Sequence, residues 1–111
     1  MTLLPKDSND NVIPALRIKD GAAHSISTSV TPAVNASAFD ANTRVISLYA
    51  TKDVYLKFGV SDTVEASSSD HFFPAGIYYD VSIGGGDSGQ YSYVSALRVA
   101  EDGVVYISEK V

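Results

Sequence analysis

Gly84, Gly86 and Gly89 spell G-x-G-x-x-G within the run GGGDSG. In a dinucleotide site such glycines let the backbone approach a pyrophosphate that rests on the N-terminus of the next helix. Here Tyr91, Tyr93, Ser95, Leu97 and Val99 follow as an alternating set, which reads as a strand. Too few residues remain for the second half of a βαβ unit, so the glycines read as a flexible loop. Asp7-x-Asn9-x-Asn11 has the opening spacing of a calcium loop. Val12 stands where glycine makes the sharp turn, and Ile18 where a glutamate closes the site. The cluster reads as a solvated Asx turn. Ser69, Asp70 and His71 are the residue types of a hydrolase triad, but consecutive residues cannot line up nucleophile, base and orienter. No G-x-S-x-G elbow is present either.

His24 and His71 are the only imidazoles and cysteine is absent, which excludes disulfides, thiolate chemistry and cysteine-based zinc sites. A cupin-type metal site wants several histidines and a glutamate on fixed strands, and two histidines do not supply it. His24 falls on the apolar face of its strand and reads as a packed residue. Asn35-Ala36-Ser37 is a glycosylation sequon by spelling. Residues 1–20 carry charge and proline throughout, unlike a secretion signal. The expectation is a non-enzyme with no catalytic residues, no cofactor and no metal.

The 111 residues fit one domain large enough for its own core. Apolar residues make up 45% and charged residues 19%, so a disordered chain is excluded. No apolar run approaches the length of a membrane span. Thirteen acidic against eight basic residues give a net charge of −5, the wrong balance for neutralising phosphates. No nucleic acid and no membrane is therefore expected as partner. The seven tyrosines carry more promise. Tyr55, Tyr78 and Tyr106 fall on strand faces opposite the apolar sets, where tyrosine can bind sugars, peptides or another subunit.

The elements that would position these residues have a period of two. His24, Ile26, Thr28 and Val30 share a face. Arg44 to Ala50 is nearly all apolar, as in a strand covered on both sides. Val54, Leu56 and Phe58 alternate with Tyr55 and Lys57, and should be buried with Ile46 and Leu48 as neighbours. The short Thr51-Lys52-Asp53 link suggests a hairpin at the centre of a sheet. Ser61 to Asp70 reads as a weak edge strand or a loop. Phe72 to Gly76 reads as a turn with two aromatic anchors. Ile77 to Ile83 alternates again, and Asp102-Gly103 before Val104 to Ser108 has the composition of a tight type I′ hairpin.

Seven or eight short strands between Gly, Pro and Ser turns predict an all-β fold: an antiparallel β-sandwich or jelly roll, with a small closed barrel as the alternative. Residues 1–21 read as an extended N-terminal arm, with apolar Leu3 and Leu4, a turn, and an edge-type segment from Val12 to Ile18. Residues 22–111 form the sandwich domain. Leu3, Leu4, Val12, Ile13 and Leu16 are too apolar to lie loose in water, and join Tyr55, Tyr78 and Tyr106 as candidate interface residues.

Three stretches carry a family likeness: Arg44 to Gly59 (RVISLYATKDVYLKFG), Phe73-Pro74-Ala75-Gly76, and Tyr93 to Ser108 (YVSALRVAEDGVVYIS). Together they resemble the small β-rich virion proteins of tailed bacteriophages, over roughly residues 22–108. The resemblance implies a capsid decoration (cement) protein that bridges capsid subunits. Head–tail connector or tail accessory roles are the alternatives within that family, and a carbohydrate-binding β-sandwich is the alternative outside it. Its partners would be the major capsid protein or other virion proteins, and its own copies in a homo-oligomer, a trimer by expectation. Its place would be the virion, assembled in the host cytoplasm. The resemblance brings no catalytic residues.

Overall fold

The computed structural model describes residues 6, 8–9, 11, 16–85 and 89–110. Eight strands form among the described residues: β1 (Ile18–Thr28), β2 (Ala33–Val34), β3 (Val45–Ala50), β4 (Val54–Gly59), β5 (His71–Phe73), β6 (Tyr78–Ser82), β7 (Tyr93–Arg98) and β8 (Gly103–Lys110). Val, Ile, Tyr and Phe dominate them, residues whose bulk near the backbone suits a pleated surface. No helix forms among the described residues.

The strands make two four-stranded sheets, ordered β1-β8-β3-β6 and β2-β7-β4-β5. Every pairing is antiparallel. The pairs are nested: β4 with β5, β3 with β6, β2 with β7, β1 with β8. The chain is thus one long hairpin whose successive pairs alternate between sheets. The expected all-β antiparallel sandwich of seven or eight strands is the fold observed.

The core lies between the sheets. Ile26, Ile46, Leu48, Ala50, Val105 and Ile107 come from one side; Val54, Leu56, Phe73, Val94 and Ala96 from the other; Phe39 and Ile83 from loops. Leu56 and Val54 are buried as expected, and Phe58 packs partly against the same cluster.

Two expectations fail for one reason. The link at Thr51 to Asp53 is not a hairpin, because β3 and β4 lie in different sheets and never pair. Ile46 and Leu48 therefore meet Leu56 across the sandwich rather than along one sheet. Asp102-Gly103 is not a hairpin turn either: β7 and β8 also lie in different sheets. Gly103 lacks a positive φ. It is needed for space, since a Cβ there would come within 2.8 Å of Thr51 Oγ1 and 2.9 Å of Lys52 Cβ. Both short links are corners between sheets, tied together where the Thr51 N–H donates to the Val104 carbonyl and the Val104 N–H to Thr51 Oγ1, each at 2.9 Å.

Smaller differences follow from pairing. Ser61 to Asp70 is a loop, one of its two expected forms. Phe73 anchors the turn before Gly76, but Phe72 points outward and is exposed. Strand β2 lies within Thr31 to Asn42, a small-residue stretch around Pro32 that reads as a loop from sequence. Strand β1 starts at Ile18, inside the stretch read as arm, and its ladder shifts register between Ile18 and Ala23, where Gly21 takes a φ of 76°. Leu3, Leu4, Val12 and Ile13 lie outside the described residues, as do Asp7 and Asp10 of the Asp7–Asn11 cluster; Leu16 is half-buried.

Candidate functional site

On the outer face of the β1-β8-β3-β6 sheet, strand register sets three tyrosines side by side. Tyr78 of β6 stands opposite Tyr49 of β3, Tyr49 opposite Tyr106 of β8, and Tyr106 opposite Ser25 of β1. All three rings are open to solvent, at 56%, 37% and 52% exposure. At about 4.8 Å per strand spacing the row runs roughly 10 Å from Tyr78 to Tyr106 along the backbone. The next row is Asp80, Ser47, Ser108 and Ala23; beyond it come Ser82, Val45, Lys110 and Ile18.

Polar contacts fix the floor of this face. The Ser47 hydroxyl donates to Asp80 Oδ1, and Lys110 Nζ reaches the same oxygen at 3.1 Å. The same ammonium sits 5.3 Å from the Tyr78 ring centroid, within cation–π range. The Ser47 hydrogen bond, helped by Lys110, holds the Asp80 carboxyl below the usual range. A charged pair and a cation–π contact thereby brace one end of the tyrosine row.

The outer face of the other sheet presents a different surface. Phe72 of β5, Tyr55 of β4 and Leu97 of β7 are cross-strand neighbours. Phe72 is 55% exposed, and its ring meets Tyr55 edge-on at 6.2 Å. Beside this row the 60–67 loop folds over the sheet: the Ala66 N–H donates to Ser95 Oγ at 2.9 Å, and both residues are buried.

One charged cluster lies inside. Glu109, on the inner face of β8, is 3% exposed. Its carboxylate accepts from Thr43 Oγ1 at 2.5 Å, from the Asp40 N–H at 2.8 Å and from His24 Nε2 at 2.8 Å. Burial alone would raise the Glu109 pKa, but these hydrogen bonds together outweigh it and hold the carboxyl below the ordinary value. An ionised carboxylate only accepts, so the His24 proton sits on Nε2. His24 also packs edge-on against Phe39 at 5.1 Å. Every partner is structural: the carboxylate clamps the 39–43 segment onto β8. Gln90 Nε2 adds to the clamp by donating to the Asp40 and Thr43 carbonyls.

The other candidates are accounted for. Asp70 accepts from the Ser67 N–H and hydroxyl in a local turn, and His71 begins β5 in the sheet opposite His24. The buried Asn35 accepts from the Val94 N–H at 2.9 Å and donates to the Ser37 carbonyl at 2.6 Å, so the sequon asparagine is a loop clamp. No group of three or more His, Cys, Asp or Glu among the described residues could hold a metal ion. A crevice of about 200 Å³ at the corner links is lined by Lys52, Asp53, Ala75 and Glu101. That is small for a ligand pocket. Its groups are engaged: Lys52 pairs with Glu101 at 3.1 Å, and Asp53 Oδ1 accepts from the Ala75 N–H.

Of the expected interface residues, Tyr78 and Tyr106 share one face, while Tyr55 lies on the opposite face of the sandwich. Sequence reasoning missed Tyr49, Phe72 and Glu109. Tyr49 was hidden in a run that reads as covered on both sides, though Ser47 two residues earlier hints at an outward set. Glu109 continues the inward parity of Val105 and Ile107. No family model matches this chain, and it has no significant match among curated proteins or solved structures.

Proposed function

We propose that this chain is a structural component of a bacteriophage virion, a decoration or cement protein that bridges capsid subunits as a homo-oligomer, most simply a trimer. The carrying observation is the Phe72, Tyr55 and Leu97 row, an apolar strip across three adjacent strands in which Phe72 is exposed and Tyr55 and Leu97 are half-buried. Aromatic strips of this kind serve as anchors in protein interfaces. The nested strand order supports reading the sandwich as a jelly roll, an architecture used by viral capsid domains and by lectins. The apolar Leu3, Leu4, Val12, Ile13 and Leu16 would extend the same contact to a neighbouring subunit. A protein that binds only the assembled shell stabilises it by mass action. A net charge of −5 suits a surface facing away from packaged DNA.

The test is sedimentation of the pure chain, alone and with phage particles purified from the lysate that produces it. The expected result is an oligomer that co-sediments with heads at on the order of hundreds of copies each, as a surface lattice requires. Phe72→Ser should weaken both. A ring of about six or twelve copies would move the chain to the head–tail connector. A monomer that ignores particles overturns the reading.

A further inference from the structure

We propose that the row of Tyr78, Tyr49 and Tyr106 is a binding site for a neutral oligosaccharide. This goes beyond the capsid reading and does not rest on it, since the Phe72 strip lies on the opposite face.

Sugar chemistry matches the row. A pyranose ring has a face of C–H groups carrying partial positive charge, which complements the negative face of an aromatic ring. Its rim of hydroxyls needs donors and acceptors together. Here the phenol hydroxyls and the neighbouring Ser25 and Ser108 offer both.

Charge selects a neutral ligand. In the three outward rows of this sheet the charged residues are Asp80 and Lys110, and they neutralise each other at 3.1 Å. The surface is therefore locally neutral on a chain of net charge −5. It has no free cation to meet a phosphate or a uronate, and no free carboxylate to meet a basic peptide.

Area argues against a second copy of the chain as occupant. The aromatic strip is roughly 10 Å long and about one side-chain row deep, set by strand spacing and pleat. A stable protein interface needs about 800 Å² from each partner. Serine and the Asp80–Lys110 pair flank the strip on one side, so the apolar area does not grow in that direction. A strip of this size fits two or three sugar rings. The tyrosines project from three hydrogen-bonded strands, so little order has to be imposed on binding.

The test is an NMR titration of the full-length, nitrogen-15-labelled chain with hexasaccharides of β-1,4-glucan, α-1,4-glucan and β-1,4-mannan, and with a polyuronate hexamer as the acidic arm. The expected result is that at least one neutral hexamer shifts the amides of residues 49, 78 and 106. Tyr49→Ala should weaken that binding about tenfold or more, the equivalent of one lost stacking contact, while its dispersed amide spectrum shows the fold retained. Tyr49→Phe keeps the ring and should retain it. Four results would overturn the proposal: no neutral hexamer moves the row; the polyuronate binds at least as tightly; Tyr49→Ala binds like the wild type; or the row shifts with protein concentration alone, which would mark the face as a self-association surface.

Discussion

His24 and Glu109 meet at 2.8 Å between the first strand and the last, 85 positions apart in the chain. The contact joins β1 and β8, adjacent strands of the β1-β8-β3-β6 sheet, and pins the 39–43 segment beneath them. Because the folded-state pKa of Glu109 lies below its ordinary value of 4.5, the carboxylate contributes its full stability above that pH. The contribution is lost as the pH falls from there through the depressed value.

Glu109→Gln should therefore cost about 1–3 kcal/mol at neutral pH, as buried donors lose a charged acceptor. The gap between wild type and variant should narrow once wild-type Glu109 is itself protonated. Urea unfolding at neutral and acid pH measures both. An equal gap at the two pH values would contradict the clamp.

Asn35→Ala should destabilise by about 1–3 kcal/mol, because the buried Val94 N–H loses its acceptor. Thermal unfolding is the readout. A neutral result would mean that water replaces the side chain.

Leu56→Ala should cost about 2–5 kcal/mol, the range for a large aliphatic removed from a packed core. Tyr55→Ala, one residue earlier but outward-facing, should cost under about 1 kcal/mol. Comparable losses at the two positions would show that the faces of β4 are reversed.

Gly103→Ala should destabilise by about 1–3 kcal/mol through overpacking against Thr51 and Lys52. Gly89→Ala, where a Cβ would meet nothing within 4 Å, is the control and should stay within about 0.5 kcal/mol.

Local periodicity made the strands readable. Val54 and Leu56, Ile46 and Leu48, and Val105 and Ile107 each mark an inward face by alternation alone. Pairing was not readable, because it depends on partners far along the chain. A three-residue link such as Thr51 to Asp53 can turn within a sheet or cross between sheets, and its own residues do not decide which. Side-chain size also misleads on β7, where small Val94 and Ala96 face the core while the bulkier Leu97 faces out. The tyrosine row needed register across β6, β3 and β8. No spacing within one strand could place Tyr49 between Tyr78 and Tyr106.

Nested pairing also ranks the strand pairs by the loop that each must close. The β4–β5 contact closes the shortest loop, then β3–β6, then β2–β7, and β1–β8 the longest. Closure entropy rises with loop length, so each inner pair lowers the cost of the next. Non-local pairings of this kind fold slowly, on the millisecond-to-second scale typical of all-β domains. During synthesis β1 emerges first yet has no partner until β8 leaves the ribosome. Of the eight strands it waits longest for its ladder partner, which makes β1 the segment most prone to mispairing between nascent copies.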